Sequence, residues 1–286
     1  MHFFGKSSDV ESAANPVYAG QSQGYTQSSL IDHAVGSVHT GLSLNWLGAK
    51  GHIAPHVHSY EEGFYILEGK AEVMVNDRAW QLGPGDFGAI KVGTPHAWRN
   101  AGGREVRWLQ MAAPQPKPHG VERDTYFPRD AKIPAAAGAL DLQDLGGALL
   151  GHFDVSQIPP VTERPAGPVG PGVFLRWLVD EHFGARHHRI LFLEYQPGAT
   201  IGLHDHTFEE AYFILSGEVE AVLDGKHYLA QAGDVLWTGV GCVHSFKNTG
   251  SQPVRWLETF SPQPPDENAF RFMAEWEQKA KDWEGN

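Results

Sequence analysis

The sequence has a single cysteine, Cys242, in 286 residues, so no disulfide can close within the chain, which suits a reducing compartment. Basic residues are scarce: 22 Lys and Arg stand against 34 Asp and Glu, a formal charge of −12. That balance argues against nucleic-acid and anionic-membrane partners, which reward clustered Lys and Arg. No run approaches the ~20 apolar residues needed to cross a bilayer. The opening MHFFGKSSDV lacks the basic stretch and apolar core of a secretion signal, so a cytoplasmic location is expected. What the chain has in quantity is 33 Gly, 19 Pro and 16 His. Many turns and many imidazoles point to short strands and to metal.

An internal repeat organises the chain. HVHSYEEGFYILEGKAEVMVNDRAWQLGPGD, from His56 to Asp86, returns as HDHTFEEAYFILSGEVEAVLDGKHYLAQAGD, from His204 to Asp234, at a constant offset of 148. His58 maps onto His206, Glu62 onto Glu210, His96 onto His244 and Asn100 onto Asn248, and Val106-Arg107-Trp108-Leu109 recurs as Val254-Arg255-Trp256-Leu257. So strict a register means two copies of one domain. Within each copy, apolar runs of four to eight residues end at Gly or Asp-Gly signals, and Asn76-Asp77 and Asp224-Gly225 stand where tight hairpins belong. The expected fold class is all-β, two tandem small antiparallel β-barrels with a C-terminal helix. The expected boundaries are an N-terminal barrel over 1–112, a Pro/Gly-rich connector over 113–172, a C-terminal barrel over 173–262 and a helical tail over 263–286. Asp266 is the expected helix cap, with Phe272, Met273, Trp276, Ala280 and Trp283 on one face as a packing surface.

His56-x-His58-x3-Glu62 followed by His96 reads as a metal-ligand set, because residues two apart on a strand share a face. His204, His206, Glu210 and His244 repeat it at identical spacing. Three imidazoles and a carboxylate suit a mid-to-late first-row divalent ion and leave positions for water or substrate. A lone His-x-His occurs by chance; eight matched positions in two copies do not.

These stretches resemble the two signature motifs of the cupin superfamily, G(x)5HxH(x)3–4E(x)6G and G(x)5PxG(x)2H(x)3N. The second copy supplies Gly198, His204, His206, Glu210, Gly217, Gly233, Gly241, His244 and Asn248. The first supplies His56, His58, Glu62, Gly69, Gly85, Gly93, His96 and Asn100, with Lys50 in place of the opening Gly, and Lys91 and Gly239 stand where the motif has Pro. The resemblance covers about residues 40–112 and 173–262 and implies a bicupin, two jelly-roll barrels (double-stranded β-helices) each able to hold an ion. Fe2+ is the first expectation, with Mn2+, Ni2+, Zn2+ or Co2+ as the other candidates. The implied function is a metal-dependent enzyme on a small organic molecule, foremost a dioxygenase like the bicupins that cleave aromatic or flavonol substrates. Glu62 and Glu210 would double as ligand and base. Non-oxidative bicupins (decarboxylase, isomerase, aminohydrolase) and a non-catalytic metal- or ligand-binding cupin are the alternatives. Oxalate decarboxylases carry the same ligands, but no acidic lid motif stands out here. Ureidoglycine aminohydrolases place Glu first in their first motif, where this chain has His.

Strand parity places Phe64, Trp98 and Asn100 beside the first ligands, and Tyr212, Phe246 and Asn248 beside the second, with Cys242 two residues before His244. An aromatic pocket around an ion is the usual plan for a small organic ligand, although the same rings also fill a narrow barrel. Arg107 and Arg255 read as strand residues, and His52 is the one further histidine placed as a proton carrier. The fuller motif, with Gly198, Tyr212 and Cys242, tilts the expected chemistry toward the C-terminal barrel. A homodimer or larger closed oligomer is expected, with no nucleic acid or membrane partner.

Overall fold

Alternation of inward and outward side chains closes each repeat into a two-layered antiparallel barrel. The computed structural model describes residues 1–100, 102–118, 120, 123–129, 136–159, 171–264 and 269–284. In the first repeat the long strand Gly41–His58 runs through both layers. Its start pairs with Val106–Ala113 and its end with His96–Arg99. The chain changes layer between Gly48 and Gly51, and there Lys50 sits at φ 61. The second repeat makes the same crossing with two strands, Arg189–Tyr195 and Thr200–His206, and Gly198 at φ 83 holds the position of Lys50. A side chain in the left-handed region costs roughly 1–2 kcal/mol, so the departure from the motif at Lys50 is a strained one. The hairpins turn where expected, with Asn76 at φ 56 and with Asp224 and Gly225 at φ 46 and 76.

The expected boundaries miss an exchange of strands. His2–Lys6 pairs with Asp234–Thr238 of the second barrel, and Leu149–His152 pairs with Asp86–Ile90 of the first. These two strands occupy equivalent places in the repeat, so each barrel's leading strand completes the other's sheet. The stretch expected as a connector also contributes Thr125–Tyr126, laid against Val57 and His58, and Gly138–Ala139, laid against Trp80 and Gln81. A Pro-rich composition forbids long ladders but not these two-residue bridges.

Each barrel has its own apolar interior, around Trp98 and Trp108 in the first and around Phe246 and Trp256 in the second. A third core lies between the barrels, where Leu42, Leu44, Tyr65 and Leu109 meet their repeat partners Ile190, Phe192, Phe213 and Leu257. Burying a side chain of this size stabilises by about 1.5–3 kcal/mol, so the barrels form one folding unit. Two buried carboxylates lock this seam. Glu209 accepts from Ser37 Oγ (2.7 Å) and from the backbone N–H groups of Val38, His39 and Thr40 (2.9, 3.0 and 3.1 Å). Its repeat partner Glu61 accepts from the N–H groups of Arg186 and His187 and lies 2.7 Å from His188 Nδ1.

A C-terminal helix is present, Met273–Glu284. It starts later than expected, because Phe270–Phe272 forms a strand on Thr200–His206; Asp266, the expected cap, lies outside the described residues, as do the side chains of Trp276, Ala280 and Trp283. No helix among the described residues is long and apolar enough to cross a membrane.

Candidate metal centres

Each expected ligand set converges. His56 faces His96 across the ladder, and their rings lie 4.0 Å apart, with His58 at 4.8 and 4.9 Å from them. Glu62 reaches in from Glu61–Glu68, its Oε2 3.1 Å from His58 Nε2 and 3.6 Å from His96 Nε2. In the second barrel, His204 and His244 are 4.2 Å apart, and Glu210 Oε2 is 2.9 Å from His206 Nε2 and 3.2 Å from His244 Nε2. In both sets the three histidine donors lie within 4.8 Å of one another, and all eight residues are buried.

The outer nitrogens explain the orientation. His56, His96, His204, His206 and His244 direct Nδ1 at the carbonyls of Ala54, Thr94, Gly202, Phe208 and Cys242 at 2.8–3.0 Å, while His58 Nδ1 meets Thr125 Oγ1 at 3.0 Å. A proton held on Nδ1 leaves Nε2 as the lone-pair donor facing inward, the arrangement that metal-binding imidazoles use. Buried His96 Nε2 and His206 Nε2 have no hydrogen-bond partner. Such atoms are costly to leave unmet, and a divalent ion is what their chemistry fits.

Protonation agrees. Burial, helped by the neighbouring imidazoles, lowers His56, and burial lowers His58 against the pull of Glu62. Burial brings His204 down to about 4. His206 behaves differently: burial would lower it, but the Glu210 carboxylate outweighs burial and raises it. Burial also pushes Glu62 and Glu210 up, yet their histidine neighbours prevail and hold both well below the usual carboxylate range. Metal binds ionised carboxylates and neutral imidazoles; Glu62, Glu210, His56, His58 and His204 are shifted toward those forms and His206 away from them.

Around these matching ligands the surroundings diverge. In the first barrel Tyr60 stacks on His58 at 4.2 Å, Tyr18 and Phe127 pack against His56, and Gln110 Nε2 donates to Glu62 Oε2 at 3.0 Å. In the second, Phe208 stacks on His206 at 4.0 Å, Phe270 and Phe272 cover His204, and the Tyr212 hydroxyl donates to Glu210. The repeat partner of Gln110 is Glu258, a buried carboxyl that burial and the nearby Glu210 push well above its ordinary value.

A cavity of about 330 Å³ opens beside the first centre, walled by Tyr18, Gln27, Ser43, Tyr60, Gln110, Ala112, Gln115, Asp124 and Thr125 among others. Tyr60, Gln110 and Thr125 are the residues that touch the ligands. In the second barrel the repeat partners of Ala112, Ser29 and Tyr60 are Phe260, Trp177 and Phe208. These rings pack together, Trp177 on Phe260 at 5.5 Å and Phe208 on Phe260 at 4.9 Å, with Phe270 5.6 Å from Phe208.

The residues expected on the pocket walls divide. Tyr212 reaches its ligands, whereas Phe64 packs edge-on to Trp98 at 5.0 Å, and Phe246 lies between Tyr212 and Trp256, all in the barrel cores. Asn100 and Asn248 are corrections: neither side chain faces a pocket. Asn100 Nδ2 donates to the carbonyls of Leu47, Gly48 and Arg104, and Asn248 Nδ2 to those of Tyr195 and Gln252, each stapling a turn whose backbone would otherwise be unpaired. Cys242 is a third correction: its thiol groups with His2 and Asp224, and what it gives the ion site is its carbonyl, on His244. Burial and the Asp224 carboxylate push that thiol up to about 12. His52 is exposed, on the opposite face from the ligands. Sequence reasoning missed Tyr18, Gln27, Tyr60, Gln110 and Thr125. For Tyr60 and Gln110 the signal was the mismatch with Phe208 and Glu258 inside an otherwise faithful repeat; Tyr18 and Thr125 lie outside the motifs and carried none.

Comparison with known proteins agrees on the fold. The cupin domain model matches residues 47–111 and 191–260. The chain is similar to quercetin 2,3-dioxygenase of Bacillus subtilis, 27% identical over 230 residues, covering 70% of this chain and 67% of that protein. It is also similar to an oxalate-binding protein of Thermotoga maritima, 44% identical over 62 residues, a match that spans 21% of this chain and about half (51%) of that relative. Among solved structures, oxalate decarboxylase of Lactobacillus farciminis superposes with a TM-score of 0.68 at 16% identity, covering 96% of this chain and 90% of the other.

Proposed function

The chain carries two cupin domains in tandem, and from that premise we propose that it is a metal-dependent enzyme of the dioxygenase type, acting on a small organic molecule in its N-terminal barrel. One observation carries the choice of barrel. The first centre has a polar cavity one residue layer from its ligands, behind Tyr60, Gln110 and Thr125, where the second barrel sets the larger side chains of Phe260 and Trp177 at the places of Ala112 and Ser29. This moves the reading away from the C-terminal barrel that the fuller motif favoured.

A divalent transition ion held by His56, His58, His96 and Glu62, iron first among the candidates, supplies Lewis acidity toward a substrate oxygen and redox reach toward dioxygen. The chain's own residues do the rest. Gln110 fixes one oxygen of Glu62, which leaves Oε1 as the atom that takes a proton from an incoming hydroxyl. Tyr18, Tyr60 and Phe127 shield the site from bulk water. The second ion, behind Phe208, Phe260 and Phe270, has a structural role. A homodimer or larger closed oligomer and a cytoplasmic location belong to the same proposal, and elution size checks the assembly.

The test is Ala112→Phe, which copies the second barrel's plug into the first. Oxygen uptake with phenolic and diketone substrates should fall at least a hundredfold while both ions are retained by elemental analysis. Unchanged turnover would refute the barrel assignment. Product release from a carboxylated substrate with no oxygen consumed would instead favour the non-oxidative reading.

A further inference from the structure

The cavity beside the first centre has a chemistry of its own. Its polar wall is made of amides and hydroxyls: Asn15, Gln27, Ser43, Tyr60, Gln110, Gln115 and Thr125. Asp32 and Asp124 are its carboxylates, His33 is its imidazole, and Lys117, exposed at the rim, is the only Lys or Arg among the described lining residues. The donors among these groups are largely committed. Gln27 Nε2 donates to Ser43 Oγ and Asn45 Oδ1, Gln110 Nε2 to Glu62, and Gln115 Nε2 to the carbonyls of Ser37 and Thr40. Among the acceptors, Gln115 Oε1 is buried without a partner, and the nearly buried Asp124 carboxylate keeps lone pairs beyond those that take the Lys117 N–H at 2.6 Å and the Thr125 hydroxyl at 3.4 Å.

An acceptor-rich wall selects a guest that brings donors. A carboxylate offers only acceptors, so beside Asp124 it would depend on the ion alone, with no guanidinium among the described lining residues to share it. The charges point the same way. Counting His33 as neutral, two Asp against one Lys give the described wall a formal charge of minus one, and a divalent ion with Glu62 and its ligating imidazoles would give one positive. The balance is zero, which favours a neutral guest.

We propose that this cavity is the substrate pocket of the first centre and that it takes an uncharged, hydroxyl-bearing molecule in preference to a carboxylate. The pocket's volume falls at the small end of organic-ligand sites, which suits a compact guest. The proposal rests on the N-terminal barrel being the working one, but binding can be read without turnover, so the two can fail separately.

The experiment is calorimetric titration of the metal-loaded protein under argon, with catechol as the uncharged probe and salicylate and oxalate as the charged ones. Catechol should bind at least tenfold more tightly than either. Ala112→Phe should abolish catechol binding with metal content intact. Ser43→Leu, which restores the second barrel's residue and removes one hydroxyl without adding a ring, should weaken it at least fivefold and covers the case in which the Phe variant fails to fold. Gln27→Arg should reverse the preference toward salicylate. Tighter binding of salicylate or oxalate by the native protein, catechol affinity that survives both plugging variants, or no binding of any probe would each overturn the proposal.

Discussion

Replacing Glu209 by Ala removes a side chain that is 3% exposed and holds four donors of the opposite barrel. Two of those donors can recover. Val38 is 65% exposed, so its N–H meets water, and His39 is half-buried. Ser37 and Thr40 are each 1% exposed and cannot, although Ser37 Oγ keeps the Thr40 carbonyl and Thr40 N–H keeps Ser37 Oγ. An unmet buried donor costs about 1–3 kcal/mol, and a hydrogen bond to a charged group contributes about 1.5–3. Two such groups, each half rescued, give a loss of about 3 kcal/mol. For a chain of this size that lowers Tm by about 6–12 °C. Glu209→Gln, which keeps an acceptor oxygen, should lose about half as much. The assay is thermal unfolding followed by tryptophan fluorescence, with elemental analysis to show that the neighbouring ligand Glu210 still holds its ion. A loss below about 1 kcal/mol for Glu209→Ala would refute the view that these carboxylates lock the seam. The same seam has an acid side. Burial pushes Glu61 up, but His188 and the N–H groups of His187 and Arg186 outweigh burial and hold its carboxyl below the usual range. Its contribution is therefore complete above the ordinary carboxylate pKa and is lost as pH falls through the lowered native value. Stability should drop below about pH 4, and less so in Glu61→Gln.

The other predictions concern the ion sites and the backbone. His56→Ala and His204→Ala should each remove one ion and together both, read by elemental analysis; unchanged metal content in the double variant would mean the ligands are misassigned. Lys50→Gly should stabilise by about 0.5–1 kcal/mol, since relief of the left-handed strain exceeds the entropy that glycine adds to the unfolded chain, and chemical denaturation checks it. Arg271 forms a double ion pair with Asp205, the residue between His204 and His206, and so anchors the strand carrying Phe270 and Phe272. Arg271→Ala should let a chelator strip the second ion at least tenfold faster while leaving the first unchanged. Equal stripping rates at both centres would show that this strand does not cover the site.

The sequence by itself determined the repeat, the two barrels and the residues that converge at each candidate metal site. It could do so because spacing along a strand translates directly into facing, and a constant offset of 148 made each set a check on the other. His56 and His58 share a face by parity, and no tertiary contact was needed to see it. Parity failed at Asn100, Asn248 and Cys242 because these stand at the ends of strands, where the chain turns and local pairing of backbone groups decides where a side chain goes. The exchange of His2–Lys6 and Leu149–His152 was hidden for a related reason: a short strand reads the same whichever sheet it completes, and only packing of the two barrels through Leu42, Leu44 and their partners selects the sheet. The asymmetry of the two centres lay further out of reach. Ala112 against Phe260 and Ser29 against Trp177 are two unremarkable differences when read along the chain. They become one cavity wall in the first barrel and, among the described residues, a packed pair of rings in the second, because folding brings separate strand segments together beside a candidate metal site, and volume is a property of that assembly rather than of any residue in it.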